Sequence, residues 1–152
     1  MQLTLYTDYS LRVLIYLALK ADETVTVSEI AAFYGISRNH LVKVVHNLAL
    51  SGFVSSTRGK NGGLRLARPA NQINVGEVVR HTEPNFNVVG CFDATANACS
   101  AEPICALKPL LGEALASFFA VLERKTVAEL IKPGAEWVPV KLGGKLAKVS
   151  GR

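Results

Sequence analysis

The sequence predicts a mainly α-helical winged helix-turn-helix with a small β-hairpin wing and a long C-terminal dimerisation helix. Three observations predict it. Two short amphipathic helices meet at a glycine, a glycine-rich basic hairpin follows directly, and a heptad-like apolar seam runs through residues 107–121.

The elements follow in order. Residues 7–20 read as a first helix, apolar on most sides through Tyr9, Leu11, Val13, Leu14, Ile15, Leu17 and Ala18, which is the mark of a buried helix. Thr7 or Asp8 is expected to cap it. Thr26 and Glu29 then form a T-x-x-E capping box, with Val25 and Ile30 placed to staple it. The helix they open passes through Phe33 and Tyr34 and stops at Gly35, a residue suited to a left-handed C-terminal position. Ser37 is expected to cap the next helix. Its Leu41, Val44, Val45 and Leu48 fall at i, i+3, i+4 and i+7, while Arg38, Asn39, His40, Lys43, His46 and Asn47 occupy the other faces, and Gly52 ends it. Helix, tight glycine turn, helix is the order of a helix-turn-helix, although an ordinary pair of core helices would carry the same polar outer faces.

What comes next argues for the former. Residues 53–57 and 64–67 read as two strands around the tip Arg58-Gly59-Lys60-Asn61-Gly62-Gly63. A hairpin in that position makes a wing, whose glycines allow close backbone approach to phosphates and whose Arg58 and Lys60 supply charge. A nucleotide-cradling loop would need G-x-x-x-x-G-K-[ST] before a helix, and neither condition is met. Asn74 and Glu77, stapled by Ile73 and Val78, open a short helix to about His81, ended by Glu83-Pro84. From about Ile104 a long helix begins. Leu107, Leu111, Ala114, Phe118 and Val121 form its seam, broadened by Leu110, Leu115 and Leu122. So much apolar surface on one helix calls for a partner, either its own domain or a second chain, and the second chain is favoured because little chain remains to cover it. Residues 126–131 suit a last short helix. The organisation expected is a winged-helix DNA-binding domain at 1–84, a cysteine-bearing loop at 85–106, a dimerisation helix and short following helix at 107–131, and a flexible tail at 132–152.

Charge narrows the function. The chain has 152 residues, 49% of them hydrophobic, so a packed core is within reach, and its net charge of +5 favours a polyanionic partner. Between Ile30 and Gly76 there is no Asp or Glu, yet Arg38, Lys43, Arg58, Lys60, Arg65 and Arg68 all lie there. Met1 to Ser10 carries Asp8 and no basic leader, and the apolar run 13–19 is too short to cross a bilayer. A cytoplasmic protein with reduced thiols is expected. No nucleophile–base pair suggests an enzyme.

All three cysteines fall in one stretch as Cys91-x7-Cys99-x5-Cys105. The odd number and clustering argue against a disulfide framework. Soft thiolates suit an iron–sulfur cluster, in which a fourth iron would need another ligand or stay open to a small reactive molecule. Structural zinc with His81 as fourth ligand, a thiol redox switch and inert cysteines are the other readings.

Several separated motifs carry a resemblance. Leu3-Thr4 with Thr7-Asp8-Tyr9, Gly35-Ile36-Ser37-Arg38-Asn39-His40-Leu41-Val42-Lys43, Arg58-Gly59-Lys60-Asn61-Gly62-Gly63-Leu64-Arg65-Leu66 and Asn74-Val75-Gly76-Glu77-Val78-Val79-Arg80 agree in order, followed by the three spaced cysteines and the long helix. Over residues 1–131 the chain resembles the NsrR branch of the NsrR/IscR family of winged-helix iron–sulfur transcriptional regulators. The resemblance implies a cytoplasmic homodimeric repressor on a palindromic operator in double-stranded DNA, with nitric oxide as signal. It implies that Cys91, Cys99 and Cys105 bind the cluster, with Asp8 matching the acidic fourth ligand that part of the branch takes from the other subunit. Asp8 reads equally as a plain helix cap. The 4Fe–4S form is favoured, with 2Fe–2S the alternative. One departure is Pro109, which would lie inside a helix begun near Pro103 and kink it beside Cys105.

The expected DNA contacts are Ser28, Ser37, Arg38, Asn39, His40 and Lys43 at the major groove, and Arg58, Lys60, Asn61 and Gly62 on the wing. Two half-sites about one helical turn apart would match the dimer. Two alternatives stand beside this reading: an IscR-like sensor of iron–sulfur or thiol redox state, and a zinc-stabilised winged-helix adaptor that binds protein. An adaptor would have no need to keep carboxylates off both the second helix and the wing.

Overall fold

The computed structural model describes residues 2–131 except Asp22, Arg58, Lys60, Asn61, 94–98, Ser100, Glu102 and Pro103. Three wing-tip residues expected to touch DNA and the tail 132–152 therefore lie outside the described residues. Among the described residues no helix is long and apolar enough to cross a membrane.

Helix α1 (Leu5–Leu19) begins earlier than its periodicity suggests. Its cap is Thr4, not Thr7 or Asp8: the Thr4 hydroxyl accepts from the Thr7 amide at 3.2 Å. The Thr4 amide and hydroxyl in turn donate to the Glu83 carboxylate at 2.7 and 3.1 Å. That tie, to a residue 79 positions away, decides which of three adjacent cap formers is used. Val13, Leu14 and Leu17 are fully buried beneath it.

Helices α2 (Val27–Tyr34) and α3 (Arg38–Leu50) follow. Thr26 accepts from the Glu29 amide at 3.1 Å, so half of the expected capping box is present. The Glu29 carboxylate is taken instead by the Tyr16 hydroxyl of α1 at 2.9 Å. The staple residues Val25 and Ile30 are both fully buried. Strands β1 (Val54–Thr57) and β2 (Gly63–Leu66) form an antiparallel wing with Val54 opposite Leu66 and Thr57 opposite Gly63. Val25 adds a rung, since its amide and carbonyl exchange hydrogen bonds with Leu64 at 3.2 and 2.7 Å. Gly63 is needed there. A Cβ on it would collide with the Thr24 methyl and stand 2.8 Å from the Val25 carbonyl oxygen.

Helix α4 (Val75–Thr82) is capped by Asn74, whose side chain accepts from the Glu77 amide at 3.1 Å. It packs on α1, as do α3, β2 and the final 3-10 turn Val127–Leu130. One core joins these layers, with Leu14, Leu17, Ile30, Leu41, Leu48, Phe53, Ile73, Val78 and Val127 fully buried.

Helix α5 (Leu107–Leu122) starts three residues later than expected. Pro109 is therefore its third residue, and the first intrahelical bond runs from the Leu110 amide to the Ala106 carbonyl at 3.3 Å. Proline in a first turn forfeits no helical bond, so the expected kink beside Cys105 does not arise. The far end of α5 is seated on α4. Phe119, the one buried residue of α5, lies under the Arg80 guanidinium at 3.7 Å, and Arg80 donates to Glu123 at 2.8 Å. The Asn74 amide group donates to the Glu123 carbonyl at 2.6 Å, and the Val75 amide to the Lys125 carbonyl at 2.9 Å.

Candidate functional site

The turn between α2 and α3 is built on Gly35, which sits at φ 65°, ψ 29° and sends its amide back to Ala31. This left-handed residue ends α2 without steric cost and swings the chain into α3. Ser37 occupies the cap position of α3, but its hydroxyl makes no cap hydrogen bond. Its backbone (φ −56°, ψ 126°) is less extended than that of Thr26 (φ −97°, ψ 153°), where the cap bond forms. The backbone carbonyl of Ser37 receives the His40 and Leu41 amides instead, at 3.1 and 3.2 Å.

Helix α3 divides cleanly. Leu41, Val44, Val45 and Leu48 are buried, while Ser37, Arg38, Asn39, His40, Val42, Lys43, His46 and Asn47 are exposed. Ser28 of α2 has a role that sequence spacing does not reveal. Its hydroxyl accepts from Arg38 Nε at 3.1 Å, which tethers the exposed guanidinium at the start of α3 and uses only one of its five N–H donors. Arg65 donates to the Thr24 hydroxyl at 3.0 Å at the base of the wing. Arg68 is different. It pairs with Glu77 at 2.6 Å and lies 5.2 Å from the Phe53 ring, so it serves the body of the domain and not the basic face. At the tip, the Gly62 amide closes on the Gly59 carbonyl at 2.9 Å.

The three thiols sit on the segment joining α4 to α5. Cys91 lies in a 3-10 turn (Gly90–Phe92), half-buried; Cys99 is exposed; Cys105 is half-buried just ahead of α5; all three are free. Among the described residues no group of three or more His, Cys, Asp or Glu is gathered closely enough to hold a metal ion. His81 points its Nδ1 at the Glu77 carbonyl, 2.9 Å away, and packs edge-on against Phe53. Asp8 is ion-paired with Arg12 on the next turn at 2.7 Å, and that guanidinium lies 5.7 Å from the Tyr34 ring. Burial pushes the Tyr34 hydroxyl up to about 12; Arg12 opposes the shift and Asp8 adds to it.

A helix-turn-helix with a two-stranded wing, followed by a cysteine-bearing segment and a further helix, has known counterparts. Residues 3–133 match the model of a family described as Rrf2, iron-dependent transcriptional regulator. The chain belongs to the Rrf2 family. It is 50% identical over 132 residues to the HTH-type transcriptional regulator NsrR of Bacillus licheniformis, covering 86% of this chain and 92% of that one. It is also 50% identical over 133 residues to NsrR of Bacillus subtilis, covering 87% and 91%. Among solved structures it resembles the oxidized form of Staphylococcus aureus CymR, with a TM-score of 0.70 and 27% identity over 92% of this chain and all (100%) of that one. This Rrf2 chain is a transcriptional regulator of the NsrR type, a DNA-binding protein and not an enzyme.

The seam on α5 of this Rrf2 chain is open. Leu107 and Val121 are 51% and 54% exposed, Ala114 is exposed, and Leu111 and Phe118 are half-buried. The residue of α5 buried in its own chain is Phe119, beside the seam, and the seam residue Phe118 packs edge-on against it. Heptad spacing alone does not separate the residue that docks within the chain from those left facing outward.

Proposed function

We propose that this Rrf2 chain is a homodimeric repressor that grips a palindromic operator and releases it when nitric oxide reaches an iron–sulfur cluster held by Cys91, Cys99 and Cys105. The observation that carries this reading is the position of three free thiols on the segment between α4 and α5. The likeness to the NsrR regulators supports it.

The donor set fits the cluster by chemistry: three soft sulfurs, none locked in a disulfide. Among the described residues the thiols are not gathered into a ready-made cage, so cluster binding is coupled to bringing the three cysteines together. Asp8, from the second subunit, is the proposed fourth ligand. Its ion pair with Arg12 is half-exposed and therefore weak, on the order of 0–1 kcal/mol, so its carboxylate is cheaply released. When bound, the cluster would supply iron reactive towards nitric oxide, and Asp8, a harder donor than the three thiolates, would be the more readily displaced ligand.

The remaining steps belong to the protein. The segment 85–106 starts just past Glu83, which holds the first residues of α1 through Thr4, and ends at α5. Gathering or parting the thiols thus bears on α1 and on the two-fold interface proposed for Leu107, Leu111, Ala114, Phe118 and Val121. The proposed organisation is a DNA-binding domain at 1–84, a sensing loop at 85–106 and a dimerisation element at 107–131. In the operator complex the proposed contacts are Ser28, Ser37, Arg38, Asn39, His40 and Lys43 in the major groove and Arg58, Lys60, Asn61 and Gly62 from the wing. Coupling of ~1–3 kcal/mol between cluster and operator corresponds to about 5- to 150-fold in affinity.

The test is anaerobic purification followed by a nitric oxide titration. Expected are a brown protein containing iron and sulfide, a colourless Cys99→Ala variant, and bleaching by nitric oxide in step with loss of operator binding. A colourless, iron-free or zinc-loaded wild type, or operator binding indifferent to bleaching, would refute the reading.

A further inference from the structure

We infer that Val42 reads a thymine 5-methyl group at one position of each operator half-site. This deepens the proposed function, because it rests on α3 being the helix that enters the major groove.

The apolar residues that α3 needs for packing are accounted for. Leu41, Val44, Val45 and Leu48 are buried. Val42 is not, and remains 41% exposed. It lies four residues after Arg38, three after Asn39 and four before His46, so these side chains share one face of the helix. Local helix chemistry does not call for valine there. A β-branched residue is a poorer helix former than the alanine or lysine that an exposed site tolerates. A lone exposed apolar side chain is ordinary on a protein surface. What sets Val42 apart is its position among hydrogen-bonding side chains on the first two turns, the part of a recognition helix that meets base edges. Leu50 is more exposed, at 75%, but sits at the last turn.

In the major groove, base edges present donors, acceptors and one apolar group, the thymine methyl. Valine matches that group. Its branched carbon has a restricted χ1, so two methyls are held in place with little rotamer freedom to lose. The flank is steadied as well, because Ser28 anchors Arg38 one turn earlier.

The test uses full-length protein prepared without oxygen and a duplex selected on it from a random-sequence DNA library. Each thymine is replaced by deoxyuridine in both half-sites, which removes only the methyl. For wild type, one position per half-site weakens binding by about fifteenfold, from about fourfold per buried methyl. With Val42→Ala the same replacement costs less than about twofold, and Val42→Thr, which keeps one methyl, falls between. Alanine is the better helix former at this exposed site, so the variant folds, as an unchanged melting midpoint would show. A selected site without thymine, a flat uracil scan, or a loss that persists in full in Val42→Ala overturns the assignment. Arg38→Ala and Lys43→Ala are measured alongside. If neither weakens binding, α3 is not in the groove and both readings fall. If they weaken binding while the scan is flat, only the role of Val42 falls.

Discussion

Replacing Gly76 with alanine probes how closely the end of α5 is seated on α4. A Cβ at this position would stand 2.5 Å from Glu123 Cγ, and 3.2 Å from both the Glu123 backbone nitrogen and Asn74 Oδ1. Gly76 lies in the first turn of α4, where alanine would otherwise gain about 0.5–1 kcal/mol. Overpacking of this kind costs about 1–3 kcal/mol. The net expectation is a loss of about 1 kcal/mol. Rotating Glu123 away gives up its half-exposed pair with Arg80, worth on the order of 0–1 kcal/mol, and leaves the contact with its backbone nitrogen, since the Glu123 carbonyl is held by Asn74. In a Glu123→Ala background the closest contact is gone, and Gly76→Ala should turn mildly stabilising, by about 0.5 kcal/mol. The coupling between the two sites is then ~1.5 kcal/mol. Urea unfolding of the four proteins at one fixed concentration measures it, since the stability of a dimer depends on concentration. An equal effect of Gly76→Ala in both backgrounds, or stabilisation in the wild type, would refute the close packing at this joint.

Other expectations follow from single contacts. Ser28→Ala should weaken operator binding about two- to fivefold, mainly by freeing Arg38, and should have a smaller effect once Arg38 is alanine, where only the direct contact of Ser28 is left to lose; fluorescence anisotropy over a double-mutant cycle reads this directly. Tyr34 has its folded pKa raised from 10.0 to about 12 by burial, so the unfolded chain loses this proton first. Its contribution to stability is complete below about pH 10 and declines as pH rises towards about 12, and Tyr34→Phe should flatten that decline in urea titrations across the window. Pro109→Ala should destabilise by roughly 0.4–1 kcal/mol through greater freedom of the unfolded chain. A mid-helix proline would instead give stabilisation of roughly 3 kcal/mol on thermal or urea unfolding.

Much of the helix-turn-helix is legible because its signals are local. Gly35 in its left-handed turn, Thr26 bonded to the Glu29 amide, and Asn74 bonded to the Glu77 amide each depend on residues within one turn. The one-sided stripe of α3 follows from helical periodicity, and all four residues are buried as expected. Misreadings occur where a distant residue decides. Thr4 prevails over Thr7 and Asp8 as the cap of α1 because Glu83 waits beside it. Glu29 completes no box because Tyr16 claims its carboxylate. Pro109 looks like a kink only if α5 begins too early.

Periodicity, turn residues and the run of basic side chains without a carboxylate settle, from the chain alone, which segments become helix or strand and which face carries positive charge. These properties arise within a few residues of one another, so local geometry suffices to write them. Partner choice does not arise that way. Arg68 belongs by sequence to the basic run yet is neutralised by Glu77, and Gly63, apparently one more flexible wing-tip glycine, is demanded by the carbonyl of Val25. Ser28 meets Arg38 only because Gly35 turns two helices against each other. Contacts between segments far apart in the chain exist only once the core has closed, and there alone is it decided which charges stay free to meet DNA.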